Sequence, residues 1–394
     1  MGAPAARLGQ AAFLVLRLVD LLVPGQSAGA PDVFLYQASA TERYTRELDF
    51  DSPEKAHLLA IVKGARDAFT TRQGSMITPG LFAYGHYLEE VSRFEEALDV
   101  FLTLVDVGGD GLGSRDAIAT TLRIARVNRK LARFDAAYTA YDRAGSLALI
   151  AGDIEAELRS RIGRVNIMWN RGNLADAEAG YRQLIDDARA ANQPEAEAGA
   201  TEGLATTISM RGRPTEAIPH AWRAYELYED TSAKVRMLVG LGIMLREAGD
   251  LEAAERAFRA SLARADGTEH SENAVLELME CACRRGDRFG YARWREEARR
   301  RQSRLTPSMQ VDFFIKQGVA DARFGNPARG QEHLATALEL ARRHKLHEYV
   351  FRIEGMKNDI REPDRLQPVE FAESEPDQSL DAIRASLREL ATVD

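Results

Sequence analysis

The chain has 394 residues, of which 45% are hydrophobic, and it carries a formal net charge of −8. This length exceeds what one hydrophobic core usually serves, so it predicts either several globular domains or an array of repeats. The net negative charge argues against nucleic-acid binding by the chain as a whole, although it leaves room for a local basic patch.

The most apolar segment begins at Leu8 and ends at Val23, and it is interrupted by Arg17 and Asp20. Three interpretations are open: a helix docked on the rest of the chain, a signal or anchor, and a helix that contacts a partner or a membrane surface. A transmembrane span is disfavoured because the segment is short and charged. Residues 1–50 are thus predicted to comprise this apolar helix, a Gly/Ala/Pro linker and a stretch without a clear apolar period.

Two stretches show how helices begin and end in this chain. A Ser-Pro-Glu run at 52–54 has the cap, proline and acidic first turn of a helix start, and it predicts a helix to about Arg72. Within residues 238–265, two runs of helical apolar spacing are separated by a turn in which Gly249 can adopt positive φ and Asp250 can cap the next helix. This segment is therefore predicted to be an antiparallel helix pair.

The helix pair recurs along the chain. With Gly249 as the reference, equivalent turns follow one another at intervals of 37 to 40 residues over seven copies, a register that chance would not keep. An alanine stands five residues after the first five turns, whereas the sixth copy has Tyr291 there and Arg295 four residues later. The turns are Ser92, Ala132, Gly172, Gly212, Gly249, Gly286 and Gly325, and the alanines are Ala97, Ala137, Ala177, Ala217 and Ala254.

This pattern resembles the tetratricopeptide repeat (TPR), whose signature is a large-small pair on helix A, a Gly-Asp/Asn turn, and Ala, an aromatic and Ala on helix B. The interval near 40 resembles the long-repeat branch that includes kinesin light chain and bacterial maltose-regulator sensor domains. The resemblance implies an all-α, right-handed superhelical solenoid of antiparallel helix pairs, with about seven repeats plus capping helices, over residues 51–361. It also implies that helix A of each pair lines a concave groove.

In the TPR family, a few positions of helix A face the ligand, and the resemblance carries them over to this chain. Asn166 and Asn170 lie one turn apart, so both amides suit an extended peptide backbone, while Trp169 offers an apolar shelf. The basic residues would draw an acidic segment, although the same polar set also suits a merely solvated inner surface. The predicted groove residues are Arg126, Arg129, Lys130, Arg159, Asn166, Trp169, Asn170, Arg236 and Arg246.

A second basic stretch lies between Arg284 and Arg304, and aromatic residues are interleaved with its arginines. Such a surface would suit RNA or an acidic protein. Glu296 and Glu297 stand four residues from arginines, however, and can pair with them along the helix. The spacing therefore favours a solvated convex face.

No set of residues indicates catalysis, and no metal or cofactor is predicted, since His344 and His347 have no cysteine beside them. Cys281 and Cys283 are two apart in a predicted helix and point to different faces, which predicts free thiols in a reducing, cytoplasmic compartment. The sequence predicts a non-enzymatic scaffold or adaptor that binds a peptide or helical segment of a partner protein. The alternatives are a ligand-sensing regulatory solenoid of the transcription-regulator kind and RNA binding through the second basic stretch.

The C-terminal part combines a predicted acidic linker, residues 362–378, with an amphipathic helix, residues 379–394, whose apolar stripe includes Leu380, Ile383 and Leu387. Two interpretations are open for this helix. It either covers the apolar end of the last repeat, as a terminal cap must, or occupies the basic groove as a tethered competitor.

Overall fold

The computed structural model describes residues 4–23, 31–48, 52–265, 267–359 and 378–392. Over these residues it contains nineteen α-helices, three short 3₁₀ turns and no β-strand, so the predicted all-α class is confirmed. None of the helices in the described part of the chain is both long enough and apolar enough to cross a membrane. The chain divides into two compact units, Met1–Gly180 and Tyr181–Asp394.

Unit 1 holds an N-terminal group of three helices, then two complete helix pairs and the first helix of the third pair. Its end falls inside the ninth helix. The helices are α1 (Pro4–Asp20), α2 (Pro31–Arg46), α3 (Pro53–Thr71), α4 (Thr78–Glu90), α5 (Phe94–Gly108), α6 (Ser114–Lys130), α7 (Phe134–Ala151), α8 (Ile154–Asn170) and α9 (Leu174–Ala190).

The apolar N-terminal segment is a docked helix. α1 packs against α2, α3 and α5, and it buries Ala11, Val15 and Val19 in the core of the unit. This arrangement agrees with the first of the three interpretations of that segment. The linker expected at residues 24–30 lies outside the described residues.

The stretch without clear apolar period nevertheless contains a helix, because residues 32–46 lie in α2. Phe34 and Ala38 are buried one turn apart, and the same side of the helix continues with the buried threonines Thr41 and Thr45. The Thr45 hydroxyl donates to the Thr41 carbonyl oxygen at 2.8 Å, which allows a polar side chain to be buried. Threonines in a buried stripe hide the helical period from a hydrophobicity pattern.

The helix predicted after residue 52 is α3. The Ser52 hydroxyl accepts a hydrogen bond from the Lys55 backbone N–H at 3.1 Å, as an N-cap residue does. Arg72 ends the helix in the left-handed region at φ 56°. Both predicted ends are therefore confirmed.

Unit 2 contains the remaining helices, which continue the same alternation of first and second helices. After the end of α9 they are α10 (Pro194–Met210), α11 (Pro214–Leu227), α12 (Thr231–Glu247), α13 (Leu251–Arg264), α14 (Glu269–Arg284), α15 (Arg288–Arg300), α16 (Pro307–Arg323), α17 (Pro327–Arg343), α18 (His347–Asp359) and α19 (Gln378–Thr392).

The predicted repeat register is confirmed at every turn. All seven reference residues have positive φ, from 57° at Ala132 to 93° at Gly325, and each one separates the two helices of a pair. Ser92 and Ala132 adopt this conformation without being glycine. The turn is therefore imposed by the packing of the pair as well as by the local preference of glycine.

The interior of each pair is built as the spacing predicts. The alanines five residues after the turns, including Ala177 and Ala254, are fully buried. In the divergent sixth pair, Tyr291 is buried with its ring centroid 5.3 Å from that of Phe324, and the Arg295 guanidinium lies over the Tyr291 ring. A larger residue is accommodated there by an aromatic contact between α15 and the end of α16.

Both interpretations of the C-terminal helix are wrong. α19 packs against α13 and α11, which are the second helices of the fifth and fourth pairs, and it buries Leu380, Ile383 and Leu387. It is thus neither the cover of the last pair nor an occupant of a surface formed by first helices. The predicted linker, apart from Gln378 at the start of α19, lies outside the described residues.

Candidate functional site

An open cleft of about 520 Å³ lies in unit 1 beside the first helices of the second and third pairs, α6 and α8. Two of the predicted groove residues, Arg126 and Arg159, reach it, with side chains that are 52% and 55% exposed. Other residues of α4, α6, α7 and α8, with Asp153 before α8, complete its surface. The cationic lining residues are Arg115, Arg123, Arg126 and Arg159, the acidic ones are Asp153 and Glu155, and the apolar ones include Phe82, Ile118 and Leu122.

The helical period of α6 explains why charge and apolar surface meet here. Arg115, Ala119, Leu122 and Arg126 are separated by four, three and four residues, so they share one face of the helix. All four line the cleft. Two guanidinium groups therefore flank a small apolar strip.

A single buried carboxylate serves two of the arginines. Glu89 of α4 contacts Arg123, with Nη1 and Oε2 3.1 Å apart, and also pairs with Arg126. Burial, together with the charges of Arg126 and Arg159, lowers the pKa of Arg123, while Glu89 acts in the opposite direction. The four lining arginines outnumber Glu89 and the lining carboxylates Asp153 and Glu155, so positive charge is in excess and the cleft favours an anionic ligand.

Arg159 has a partner of its own. Its Nη2 lies 2.6 Å from Glu155 Oε1, one turn earlier on α8, and both side chains are exposed. Exposed pairs of this kind contribute little to stability and exchange partners at low cost. Arg159 is therefore free to turn toward an acidic ligand.

Sequence reasoning missed Arg123 and Arg115, because the prediction used only the positions that face ligands in the TPR family. A signal for both was present. Arg123 stands three residues before Arg126, which places them as neighbours on the helix surface. Arg115 stands on the stripe that ends at Arg126.

The other predicted residues of unit 1 lie at the C-terminal ends of α6 and α8. Arg129 Nη1 donates to Asn170 Oδ1 at 2.9 Å, so this amide oxygen already has a donor. Trp169 is half-buried, and its indole N–H is buried without a hydrogen-bond acceptor in the described part of the chain. Asn166 is half-buried one turn before Asn170.

Lys130, the last residue of α6, is exposed. The structure therefore brings the end of α6 to the end of α8, through Arg129 and Asn170, as the repeat register predicts.

Arg236 of unit 2 is held by its own neighbours. Its Nε and Nη2 atoms donate to the two oxygens of Glu202 at 2.9 and 2.7 Å, and its guanidinium lies 5.5 Å from the centre of the Tyr228 ring. Bidentate pairing and stacking fix the guanidinium in one orientation. Arg236 thus links α12 to α10 through its ion pair with Glu202.

The expectation that Arg246 offers its charge to a groove is wrong. Its side chain is only 9% exposed and pairs with Glu277, with Glu280 at 2.6 Å and with Glu247 at 2.7 Å. The carboxylates of α14 come more than 30 residues later in the chain, so the position of Arg246 on its own helix could not reveal them. Its charge is neutralised inside the unit.

Lys316 completes this buried network. Its ammonium group lies 3.2 Å from Glu277, 2.8 Å from Glu280 and 2.9 Å from Asp312. Burial raises the pKa of Glu277. Although burial also opposes ionisation of Glu280, Lys316 and Arg246 lower the pKa of that carboxyl.

The second basic stretch comprises the end of α14, α15 and the turn after it. The guanidinium groups of Arg293 and Arg259 lie 5.0 and 5.3 Å from the centre of the Trp294 ring, and Arg301 pairs with Glu297 at 2.6 Å. Phe289 is 92% exposed. These contacts are those of an ion-paired, solvated helix face, as the spacing of the glutamates predicts.

Among the described residues, no group of histidine, cysteine and carboxylate side chains could hold a metal ion. Cys281 and Cys283 are free and buried. Burial raises the pKa of Cys281 to about 12, so its thiol is protonated and unreactive near neutral pH. The predicted cytoplasmic location stays a prediction.

The chain matches no protein-family model and no curated protein sequence. Its structure is similar to that of the Rap conjugation gene regulator of the plasmid pLS20, solved in complex with a Phr peptide. That match has a TM-score of 0.55 and 10% identity, and it covers 90% of this chain and 97% of the regulator.

Two further solved structures are similar. The apo form of RapI matches with a TM-score of 0.50 and 14% identity over 68% of this chain and 98% of RapI. The apo quorum sensor NprR from B. thuringiensis matches with a TM-score of 0.50 and 11% identity over 86% of this chain and 87% of NprR. These likenesses confirm the TPR-like solenoid fold. The narrower resemblance to kinesin light chain stays a prediction.

Proposed function

We propose that the chain is a non-enzymatic receptor that binds a peptide or helical segment of a partner protein in the cleft between α6 and α8. Acidic side chains of the partner contact Arg126 and Arg159, and an apolar side chain contacts Leu122. The observation that carries the proposal is the meeting of four arginines with an apolar strip in one open cleft.

The chemistry of the cleft supports a carboxylate-bearing ligand. Arginine presents a planar fork that matches a carboxylate in a bidentate pair, and two such forks stand on adjacent helices here. The size of the cleft suits a few side chains rather than a folded domain. The pLS20 regulator, solved with a Phr peptide, offers an example of a peptide-bound protein of this fold.

A random peptide library displayed on phage and panned on the full chain tests the proposal. We expect enriched peptides to carry Asp or Glu beside an aliphatic or aromatic residue. Enriched peptides are then synthesised with a fluorophore, and their affinity is measured by anisotropy. The double variant Arg126→Glu and Arg159→Glu should lose at least about tenfold in affinity, because charge reversal turns attraction into repulsion.

Arg143 provides the matched control, since it is an exposed arginine on α7 in the same unit and does not line the cleft. Arg143→Glu changes the net charge in the same sense and should leave the affinity unchanged. Enriched peptides without acidic residues, or equal affinity for the cleft variant and the control, would overturn the proposal.

The adaptor and the ligand-sensing regulator share this receptor step, so the same experiment tests both. RNA binding would instead use the face of α15. The ion pair of Arg301 with Glu297 and the stacking of Arg293 on Trp294 engage that face, which makes it the weaker candidate.

A further inference from the structure

The second helix of the fifth pair, α13, differs from its counterparts on one stripe. The fourth, eighth and eleventh residues after a turn share one face of the second helix. In α13 these are Ala253, Ala257 and Ala260, and all three are fully buried. In α7, α9 and α11, the residues four and eleven places after the turn are exposed instead. Those four places after it are Ala136, Asp176 and Glu216, and those eleven places after it are Arg143, Gln183 and Arg223.

α19 packs against the helix that carries this stripe. Its buried residues Leu380, Ile383 and Leu387 follow helical spacing and form one apolar edge. Arg384 Nε lies 2.6 Å from Asp250 Oδ2, and Asp250 is also the N-cap of α13. α19 therefore offers three aliphatic side chains and one arginine, and the helix beneath it offers three alanines and the carboxylate of its N-cap.

This contact does not follow the order of the chain. Residues 360–377 separate α18 from α19, and α19 packs on helices that precede α18 by several pairs. The residues of α19 on its other side, such as Asp381, Ala382 and Ala385, are exposed. α19 is thus a small amphipathic helix that packs on the unit through one edge and is joined to α18 by residues 360–377.

We propose that the face of α11 and α13 under α19 is a helix-docking site, and that α19 is its displaceable occupant. The external ligand is an amphipathic helix of a partner protein, with aliphatic residues at positions i, i+3 and i+7 and an arginine at i+4 opposite Asp250. This proposal uses a different face from the α6–α8 cleft and does not depend on peptide binding there.

The tether sets the affinity that a partner needs. Covalent attachment through residues 360–377 gives α19 an effective concentration on the order of millimolar at this face. An external helix with the contacts of α19 alone would displace it only at comparable concentration. A partner that adds contacts beyond the three aliphatic residues and the arginine would displace it at much lower concentration.

The experiment separates α19 from a chain that has already folded. A protease recognition sequence replaces residues 366–372, the purified chain is cut, and the released tail is removed by size-exclusion chromatography. A fluorescent peptide of residues 378–392 is then titrated against the cut chain and against the intact chain. We expect saturable binding to the cut chain, with a dissociation constant in the millimolar range or lower. Binding to the intact chain should be at least about tenfold weaker.

Matched variants locate the binding face. In the peptide, Ile383→Asp should abolish binding, whereas Ala382→Asp, with the same charge at an exposed position, should not. In the cut chain, Ala260→Arg introduces the residue that the fourth pair has at this register and should abolish binding. Ala263→Arg on the exposed side of α13 should not.

Two results would overturn the proposal. In the first, the tail stays bound after cutting and dilution, which would make α19 a permanent part of the unit. In the second, the cut chain melts earlier by circular dichroism and does not rebind the peptide, which would make α19 a structural cover. Neither result would affect the outcome of panning on the α6–α8 cleft.

Discussion

A Cβ atom placed on Gly242 would lie 2.5 Å from Cε1 of Phe258, a distance that real side chains do not adopt. Gly242 is the small residue of the fifth pair, and Phe258 is the aromatic residue that the repeat register places opposite it. We expect Gly242→Ala to lower the free energy of unfolding by about 1–3 kcal/mol through overpacking, as measured by urea denaturation.

Gly240 on the same helix is the control, because its Cβ would meet no atom within 4 Å. Gly240→Ala should be neutral or stabilise the chain by about 0.5–1 kcal/mol, since alanine favours helix. Equal effects of the two substitutions would contradict the packing described for this pair.

The buried network around Lys316 predicts that replacing this lysine lowers the free energy of unfolding strongly, and that a second substitution restores part of it. Lys316→Met leaves the carboxylates of Glu277 and Asp312 without their ammonium partner, and it should cost about 3–5 kcal/mol in urea unfolding. Arg246 still pairs with Glu277 and Glu280, but the carboxylates are then in excess, so adding Glu277→Gln lowers the buried negative charge and should recover part of the loss. A double variant less stable than Lys316→Met alone would contradict this account.

Acidification should destabilise the protein through His270. Burial, with the charge of Arg236, lowers the pKa of His270, so the folded protein prefers the neutral imidazole. A base with a lowered folded pKa contributes stability above its unfolded value, and this contribution is lost as pH falls below it. We expect the thermal midpoint to fall less between pH 7 and pH 5 in His270→Gln than in the wild type.

The exposed His344 provides a comparison for this measurement. His344→Gln makes the same substitution at an exposed position and should keep the wild-type dependence on pH. Parallel pH profiles for His270→Gln and the wild type would rule out a role for His270.

Asp250 has two roles that substitutions can separate. One oxygen accepts from the Ala253 N–H at 3.0 Å and caps α13, and the other accepts from Arg384 at 2.6 Å. Asp250→Asn keeps a capping oxygen and removes the charge, whereas Asp250→Ala removes both and should cost about 1 kcal/mol more. A double-mutant cycle of Asp250→Asn with Arg384→Ala, read from urea unfolding, should give a coupling of about 0.2–1 kcal/mol.

A coupling of zero in this cycle would show that the pair between α19 and α13 contributes nothing to holding α19. Equal losses for Asp250→Asn and Asp250→Ala would show that the cap is not made in solution.

Binding to the α6–α8 cleft should weaken as salt is added, because its arginines face solvent and their attraction for acidic groups is screened. For a peptide enriched on the cleft, we expect affinity to fall between 50 and 300 mM NaCl. The fall should be smaller for Arg126→Gln, which removes one of the charges. Affinity independent of salt in both proteins would show that the peptide does not use these arginines.

Much of the fold could be predicted from the sequence because the repeat is local. A turn residue, an alanine five residues later and an aromatic residue four residues after that lie within one helix pair, so their spacing survives in the chain. Gly249 at φ 90° and the buried Ala254 are examples. The cap at Ser52 is predictable for the same reason, since it bonds to Lys55 three residues away.

The candidate site could be predicted only in part. Arg126 and Arg159 were found from positions on their own helices, and both reach one cleft. Arg246 was predicted from the position that Arg129 holds in the second pair, but it is buried by carboxylates from α14 and so is not available to a ligand. A helix position gives the direction of a side chain, whereas its charge balance depends on residues brought by other helices.

What only the tertiary structure decided is where distant segments meet. The apolar stripe of α19 was visible in the sequence, but its partner was not, because a stripe of aliphatic residues fits any small apolar surface. The choice of α13 depends on three alanines and on Asp250, 134 residues from Arg384. Repeats fix contacts within a pair through spacing, and contacts between a tethered helix and a remote pair depend on complementarity that spacing does not contain.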